Sequence, residues 1–441
     1  MAKKLVLASG EMVEIKAKNK SFSGVLVKTD EAEGLVIKLS SGYNVFLQKK
    51  EILSIKKLGK VQELSKPKAK DFSFNPVLPL ISILQLGGTI ASRVDYKTGA
   101  VTVSFEPNDL ITMFPELEDL ANFKSRLVGK MFSEDIRFAH YKKLVLEIKK
   151  EIEAGGIKGI IVAHGTDTMH YSSAALSFAL ENLPVPVILV GAQRSTDRGS
   201  SDASLNLVSA VQFITKTDFK GVAICMHEFS DDKTCVILPA TKTRKLHTSR
   251  RDAFKAINAL PVARVNPLEN KIEFLEKPVD TQKGKGFVAR QNFEEKVGFL
   301  KVHPNMFSFE IDFFRKNKYK GLVIEGTGLG HAPVGTPDEL SKPNKKNMDA
   351  IKKLVKSGCV VAMASQCIYG SVQMHVYEAG VYLSRAGVIS CQDMTAETAF
   401  VKLSWLLGNF PKKDVAQLMQ ENLRGEINER LQMNHFSPDF P

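Results

Sequence analysis

The sequence is poor in the features that mark secreted, metal-binding and membrane proteins. Its 441 residues include five cysteines, an odd number, and no pair of them has C-x-x-C spacing, so neither a disulfide framework nor a zinc site is indicated. No apolar run reaches the ~18 residues that a membrane-spanning helix needs. The opening residues contain no secretory signal core and are followed at once by charged residues. We therefore expect a cytoplasmic protein with free thiols, no metal ion and no membrane attachment.

Arginine is absent from the first 70 residues, although 15 lysines and 7 acidic residues occur there, a surplus of 15 − 7 = 8 positive charges. The whole chain carries a net charge of +13, so this short part holds more than half of the excess. A basic segment attached to a larger body indicates either a polyanionic partner such as RNA or a solubilising, lysine-rich surface. Composition alone does not separate these two interpretations.

The first 60 residues predict a small all-β unit. Short apolar or alternating segments are separated there by turn signals such as Asn19-Lys20, a pattern typical of a small barrel of the Sm/SH3-like type. The next residues, 61–77, are rich in lysine and include Pro67 and Pro76, which predicts a linker.

The pattern changes at about residue 78, where short apolar runs begin to alternate with amphipathic stretches. Buried strands that alternate with helices predict a doubly wound, largely parallel α/β sheet. We place one α/β domain at 78–280, a second and shorter one at 297–425, and a tail at 426–441. The predicted strands are 80–86, 159–163, 185–190, 221–226, 297–302, 321–325 and 359–364. Amphipathic stretches lie at 139–153 and 170–182, and helices are predicted at 170–179 and 345–356.

Two threonine turns, each directly after a predicted strand, are the strongest functional signal. The first reads Gly87-Gly88-Thr89, and the second reads His164-Gly165-Thr166-Asp167-Thr168. Glycine lets the chain turn sharply off a strand, so that a side chain projects into the crevice where parallel strands end. A threonine hydroxyl placed there becomes a nucleophile when a base takes its proton. Taken singly, such a turn is weak evidence for a function, since a residue that caps a helix also explains it.

Taken together, the two turns resemble the two threonine signatures of the L-asparaginase/glutaminase family, amidohydrolases that use threonine as nucleophile. The resemblance extends over roughly residues 78–425 and implies an asparaginase-like, two-domain α/β fold. Further segments that carry it are 133–136, 187–195, 201–206, 244–246, 252–258 and 393–403.

The resemblance also implies catalytic roles. Thr89 would be the nucleophile that forms an acyl-enzyme. Thr166, Asp167 and Lys245 would form a second catalytic group, in which Lys245 acts as the base or tunes it and Asp167 holds the lysine in place. His164 is expected to be a packing or turn residue.

The same resemblance implies a set of substrate-binding residues. Ser133 and Asp167 would hold the α-carboxylate and α-amino groups of an amino-acid substrate, with help from Glu134. Many free asparaginases have glutamine where this chain has Glu134, and this difference leaves open the choice between glutamine and asparagine. Tyr96 would be the tyrosine of a loop that closes over the site, although a solvated loop tyrosine explains it equally well.

A glycine-rich segment, Gly326-Thr-Gly-Leu-Gly330, also follows a predicted strand. It lacks the third glycine of the dinucleotide-binding pattern G-x-G-x-x-G, which is a weak signal in any case. In the asparaginase-like fold this strand end reaches the active site of a neighbouring subunit, with Glu325 and His331 as candidate contributors.

Three functional hypotheses follow. With its extra N-terminal barrel, the chain resembles the asparaginase-like D subunits of archaeal-type glutamyl-tRNA(Gln) amidotransferases. This resemblance implies that the chain needs no cofactor and releases ammonia from glutamine or asparagine for a partner, the E subunit of the amidotransferase. The partner would use ATP and Mg to amidate Glu-tRNA(Gln), and the chain would form a homodimer within a heterotetramer.

The second hypothesis is a free cytosolic L-asparaginase, and the third is an RNA-binding or scaffold protein built on an inactive asparaginase core. Free asparaginases begin almost directly at the first threonine strand, whereas this chain has about 75 residues before it. An inactive core would be expected to have lost at least one of Thr89, Thr166, Asp167 and Lys245, which are all present. The first hypothesis is therefore preferred.

Overall fold

The computed structural model describes residues 10–18, 21–27, 34–39, 44–60, 74–87, 92–94, 101–103, 114–195, 200–276 and 286–436. Its first unit is an antiparallel sheet with strand order β4-β3-β2-β1-β5. Val13, Ile15 and Ile37 are fully buried and belong to the hydrophobic core of this unit. The all-β character predicted for this unit is confirmed, and its described strands form a half-barrel. The strands are β1 (Glu11–Ala17), β2 (Ser21–Val27), β3 (Gly34–Leu39), β4 (Asn44–Gln48) and β5 (Ile52–Lys60).

The second unit is built on an eight-stranded sheet with order β18-β17-β14-β13-β12-β10-β6-β9. Its elements are β6 (Leu80–Gly87), β7 (Ser92–Val94), β8 (Val101–Val103), β9 (Asn122–Met131), α1 (Phe138–Ala154), β10 (Gly159–Ala163), α2 (Met169–Ala179), β11 (Leu180–Glu181), β12 (Pro186–Val190), α3 (Ala203–Lys216), β13 (Gly221–His227), β14 (Cys235–Pro239), β15 (Thr243–Lys245), β16 (Phe254–Ala256), β17 (Ala263–Asn266), β18 (Lys271–Phe274) and β19 (Val288–Ala289).

Five neighbouring strands of this sheet are parallel, in the spatial order β9-β6-β10-β12-β13. Apolar residues on the two faces of β6 enter different cores, so the sheet is covered on both sides. Ile81 and Ile83 pack with residues of α3, whereas Leu84 and Leu86 pack with residues of α1 and α2. The predicted doubly wound α/β fold is therefore confirmed.

The sheet differs from the prediction at one edge, where β14, β17 and β18 are antiparallel. Only residues 228–234 separate β13 from β14. A connection this short can join antiparallel neighbours, whereas parallel strands need a crossover of a dozen or more residues.

The third unit has a four-stranded parallel sheet with order β20-β21-β22-β23. Its elements are β20 (Val297–Lys301), α4 (Ser308–Lys316), β21 (Gly321–Gly326), α5 (Asn344–Lys356), β22 (Val360–Ser365), α6 (Glu378–Arg385), β23 (Ile389–Ser390), α7 (Ala396–Asn409) and α8 (Lys412–Gln420). Helix α7 joins this unit to the second one, since the rings of Trp405 and Phe178 stack with centroids 5.5 Å apart. In the part of the chain that the structure describes, no helix is both long and apolar enough to span a bilayer.

Candidate active site

Two adjacent strands end where the two threonine turns begin in the sequence. β6 ends at Gly87 and β10 ends at Ala163, and the two strands pair in parallel with Ala163 opposite Gln85. In chain order β6 and β10 are the first and third strands of the parallel set, and the second, β9, lies on the other side of β6. The order of the strands reverses between β6 and β10, so their carboxyl ends flank the switch point at which open α/β sheets bind ligands. Gly87 has a φ of 102°, a left-handed conformation that favours glycine. Thr89 and Tyr96 lie outside the described residues, and their roles stay predictions.

The second threonine turn is packed so closely that two glycines beside it have no room for a side chain. A Cβ atom on Gly165 would lie 2.9 Å from the Ser133 hydroxyl oxygen, and one on Gly191 would lie 2.9 Å from the Thr166 Cγ2 atom. Thr166 is 6% exposed, whereas the side chain of Asp167 is 65% exposed. The turn therefore combines a buried hydroxyl with a carboxylate that is open to solvent.

A short hairpin carries Lys245 to this turn. β15 pairs with β16, and Lys245 lies opposite Phe254. Lys245 Nζ donates hydrogen bonds to Thr166 Oγ1 at 2.9 Å and to Asp167 Oδ1 at 2.6 Å. The lysine side chain is largely shielded from solvent, with 9% of it exposed. An ammonium, a hydroxyl and a carboxylate thus form one cluster, an arrangement that can move a proton between a hydroxyl and a base.

The end of β9 supplies a third segment of the site. Ser133 starts the 3-10 turn Ser133–Asp135 and is 4% exposed. The Thr168 hydroxyl donates a hydrogen bond to the Ser133 carbonyl at 2.7 Å, which fixes this turn to the one that carries Thr166. Glu134 is exposed and is accessible to a solute. The structure therefore brings the predicted binding segment against the predicted catalytic turn.

Two buried histidines beside the turn are kept neutral. Burial lowers the pKa of His164 to about 4 and that of His170 to about 3, because a buried imidazolium loses its hydration. His164 Nδ1 donates to the carbonyl of Gly165, with the two atoms 2.6 Å apart. The basic side chain that contacts Thr166 is that of Lys245.

Two contributors to the site were not singled out by sequence reasoning. Thr168 connects two turns through its hydroxyl, and Gly191 leaves room for Thr166 at the end of β12. The signal for both was available, because each follows an apolar strand and the carboxyl ends of parallel strands meet at one edge of the sheet.

The glycine-rich segment 326–330 follows β21 in the third unit. Glu325 is 5% exposed and pairs with Lys301 Nζ at 3.0 Å, and Thr327 forms an isolated bridge with His331. Across the residues described by the structure, no hydrogen bond or ion pair joins Glu325 or His331 to Lys245. Their predicted contribution to a neighbouring subunit stays a prediction.

Side chains that could hold a metal ion do not cluster in the described part of the chain. No group of three His, Cys, Asp or Glu side chains is placed to do so within those ranges. All five cysteines have free thiols, and Cys367 alone among them is exposed. The groups that meet in the crevice are instead the hydroxyl of Thr166, the carboxylate of Asp167 and the ammonium of Lys245.

Comparisons with known proteins agree with this architecture. Family models match for "Asparaginase, N-terminal" over residues 80–280, for "Glutaminase/Asparaginase C-terminal domain" over 296–419 and for "GatD N-terminal domain" over 7–58. Among solved structures, a thermostable L-asparaginase from Thermococcus kodakarensis has a TM-score of 0.70 at 26% identity and covers 80% of this chain and 100% of its own. L-asparaginase I from Vibrio cholerae has a TM-score of 0.68 at 25% identity over 80% and 99% of the two chains. Fold and matches define an asparaginase-type protein with an additional N-terminal domain.

Curated relatives narrow this class. The chain is 45% identical to the D subunit of a glutamyl-tRNA(Gln) amidotransferase from Methanococcus maripaludis over 430 residues, or 96% of this chain and 99% of the relative. It is 43% identical to the corresponding D subunit from Pyrococcus abyssi over 401 residues, or 89% and 87% of the two chains. The chain belongs to the family of glutamyl-tRNA(Gln) amidotransferase D subunits.

Proposed function

We propose that this chain releases ammonia from the side-chain amide of glutamine or asparagine and supplies it for the amidation of Glu-tRNA(Gln). The observation that carries the proposal is the contact of Lys245 Nζ with Thr166 Oγ1 and Asp167 Oδ1, at 2.9 and 2.6 Å, beside the strand that leads to Thr89. Similarity to D subunits over nearly the whole chain supports the coupling to tRNA.

In the proposed reaction, the Thr89 hydroxyl attacks the carbonyl carbon of the substrate amide. The Thr166 hydroxyl takes this proton and passes its own to Lys245, which acts in its neutral amine form, and a proton returns along the same path to the leaving nitrogen. Breakage of the C–N bond then releases ammonia and leaves an ester on Thr89, which water hydrolyses to free glutamate or aspartate and restore the hydroxyl. Backbone N–H groups of the turns stabilise the negative charge on the carbonyl oxygen, and Asp167 holds Lys245 in place.

Substrate recognition would use the exposed acidic groups around the crevice. Asp167 and Glu134 are open to solvent, and carboxylates of this kind suit the α-ammonium group of an amino acid. Ser133 would hold the α-carboxylate, and Tyr96 would help to close the site.

The ammonia needs an acceptor that this chain does not itself provide. We infer a partner, the E subunit of the amidotransferase, that activates the glutamyl group of Glu-tRNA(Gln) with ATP and Mg, so that this chain works without a cofactor of its own. We place the complex in the cytoplasm and infer a homodimer of this chain within a heterotetramer.

The nucleophile is tested with Thr89→Ala in the reconstituted complex. We expect glutamine-dependent amidation of Glu-tRNA(Gln) to fall at least ~10³-fold, because residual catalysis without a nucleophile is small, and added ammonium to restore amidation. The matched control is Thr215→Ala on α3, whose hydroxyl bonds the carbonyl of Gln212 away from the site. Full glutamine-dependent activity of Thr89→Ala would overturn the assignment.

The same assay distinguishes the proposed function from the alternative, a free L-asparaginase. Its mark would be rapid ammonia release, selective for asparagine, that is unchanged when the partner and Glu-tRNA(Gln) are added. Such a result would leave the amide hydrolysis in place and remove the coupling to tRNA.

A further inference from the structure

β15, the strand that carries Lys245, has two chemically different faces. Successive side chains of a strand point to opposite faces. Lys245 therefore points toward the Thr166 turn, while Arg244 points the other way. Arg244 Nη2 lies 2.9 Å from Glu397 Oε1, and Glu397 belongs to the first turn of α7 in the third unit.

Other contacts hold the same segment against the third unit. Lys242 Nζ lies 2.6 Å from Asp393 Oδ2, and both side chains are 2% exposed. The Thr398 hydroxyl donates to the carbonyl of Thr241 at 2.8 Å. Residues 393–398 thus run along the side of the lysine segment that faces away from the site.

The carboxylate of Glu397 has few partners that could stabilise its negative charge. Its side chain is 6% exposed, and its Oε2 atom is buried without a hydrogen-bond partner among the described residues. Burial also raises the pKa of this carboxyl, and the charge of Arg244 opposes the rise. Its partner Arg244 is only half-buried, with 27% of the side chain exposed, and ion pairs that reach solvent contribute little to stability. This pair is therefore better explained by what it orients than by the stability it contributes.

We propose that Glu397 is a positioning residue for Lys245 and acts through Arg244. By holding the guanidinium on the far side of β15, it fixes the strand and with it the position of Lys245 Nζ against Thr166 and Asp167. The proposal rests on the proposed function of Lys245.

The expected effect is a loss of turnover with little change in substrate binding. Some residues orient a metal ligand or a reacting group indirectly, through one other side chain. Replacing such a residue typically lowers activity by about 10- to 100-fold. We therefore expect Glu397→Gln and Arg244→Met each to lower kcat for ammonia release about 10- to 100-fold, while KM stays within about twofold.

The experiment measures kcat, KM and the urea unfolding midpoint of the complex with each variant. The double variant Arg244→Met/Glu397→Gln should be no slower than the slower single variant, because both changes remove one contact. Arg244→Lys, which keeps the charge, should recover part of the lost kcat. The matched control is Glu151→Gln, which breaks ion pairs of a similarly buried carboxylate with Lys124 and Arg126 and should leave kcat unchanged.

Several outcomes would overturn the proposal. These are unchanged kcat in both single variants, additive losses in the double variant, a rise in KM without a fall in kcat, or a kcat that falls only in proportion to the folded fraction. If Glu397→Gln fails to fold, Arg244→Lys and Arg244→Met decide the question. Arg244→Lys keeps a cation beside the buried carboxylate of Glu397, and Arg244→Met, which removes that cation, is compared as kcat per folded molecule. Lys245→Met is measured in parallel. If that variant stays active, the proposed function fails, whereas an inactive Lys245→Met beside a fully active Glu397→Gln and Arg244→Met refutes only the positioning role.

Discussion

Lys242 and Lys245 are three residues apart, and each is paired with an aspartate at 2.6 Å, but their surroundings are opposite. Lys242 and Asp393 are both 2% exposed, and two hydrogen bonds from Asn428 complete the carboxylate shell. Lys245 is paired with a carboxylate that is 65% exposed. The same two residue types therefore form a sealed structural link in one place and an accessible cluster in the other.

The difference explains why a lysine with the role that we propose for Lys245 needs support from outside the site. A lysine whose partner faces solvent gains little from the pair, since exposed ion pairs contribute about 0–1 kcal/mol. The fixed position of Lys245 therefore depends on the rest of its strand, which Lys242 and Arg244 tie to the third unit.

The largest effect that we expect at this pair of lysines is on turnover. Lys245→Met removes the basic group that touches Thr166, and loss of an acid or base of this kind costs about 10²- to 10⁴-fold in rate. We expect kcat for ammonia release to fall about 10³-fold while the urea unfolding midpoint stays close to that of the unmodified chain. A kcat within tenfold of the unmodified chain would contradict the role of Lys245.

The second-largest effect is on stability and concerns Lys242, the other lysine of the comparison. Lys242→Met leaves the buried carboxylate of Asp393 without its cation, and removing one partner of a buried pair costs about 3–5 kcal/mol. We expect the low end of this range, because Asn428 still donates to the carboxylate from its backbone and its side chain. The free energy of unfolding from urea titration measures the change, and a loss below about 1 kcal/mol would show that the pair is not a structural link.

The smallest effect of a single substitution concerns the pH dependence of stability that the buried histidines of the site produce. The pKa of His164 is lowered to about 4 and that of His170 to about 3 in the folded chain, against about 6.5 when unfolded. Between these values the unfolded chain binds more protons, so stability falls as the pH drops below about 6.5, by up to about 1.4 kcal/mol per pH unit for each histidine. Urea titrations at pH 7.5 and pH 5 measure this loss.

His164→Asn should reduce the acid sensitivity relative to the unmodified chain, since one of the two titrating groups is gone. Equal sensitivity in the two proteins would mean that His164 is not held neutral by burial. Exposed His303, on which neighbouring groups raise the pKa, provides a control through His303→Asn, which should not reduce the loss at low pH.

Most of the strands and helices could be predicted from local pattern. The apolar run 80–86 became Leu80–Gly87, and the amphipathic stretch 345–356 became Asn344–Lys356. The helix predicted at 170–179 is Met169–Ala179 in the structure. The amphipathic stretch itself continues to residue 182, but it leaves the helix after Ala179 because Leu180 and Glu181 pair with Val288 and Ala289. This pairing partner is more than a hundred residues away, and local periodicity carries no information about it.

The site was predictable in part, for a related reason. The threonine turns stand out locally, but Lys245 looked like one basic residue in a basic stretch, and only the family resemblance selected it. The partnership of Arg244 with Glu397, across two units of the fold, has no signature in either local segment. Likewise, Glu426 lies within the predicted tail, yet it is fully buried and pairs with Lys402.

The most direct test of the account is the rate of ammonia release from glutamine and from asparagine, measured with and without the E subunit and Glu-tRNA(Gln). We predict that release rises sharply when the partner and the charged tRNA are both present, and that Lys245→Met abolishes the rise. Rapid release from asparagine that is indifferent to partner and tRNA would contradict the account, because the chain would then work as a free amidohydrolase.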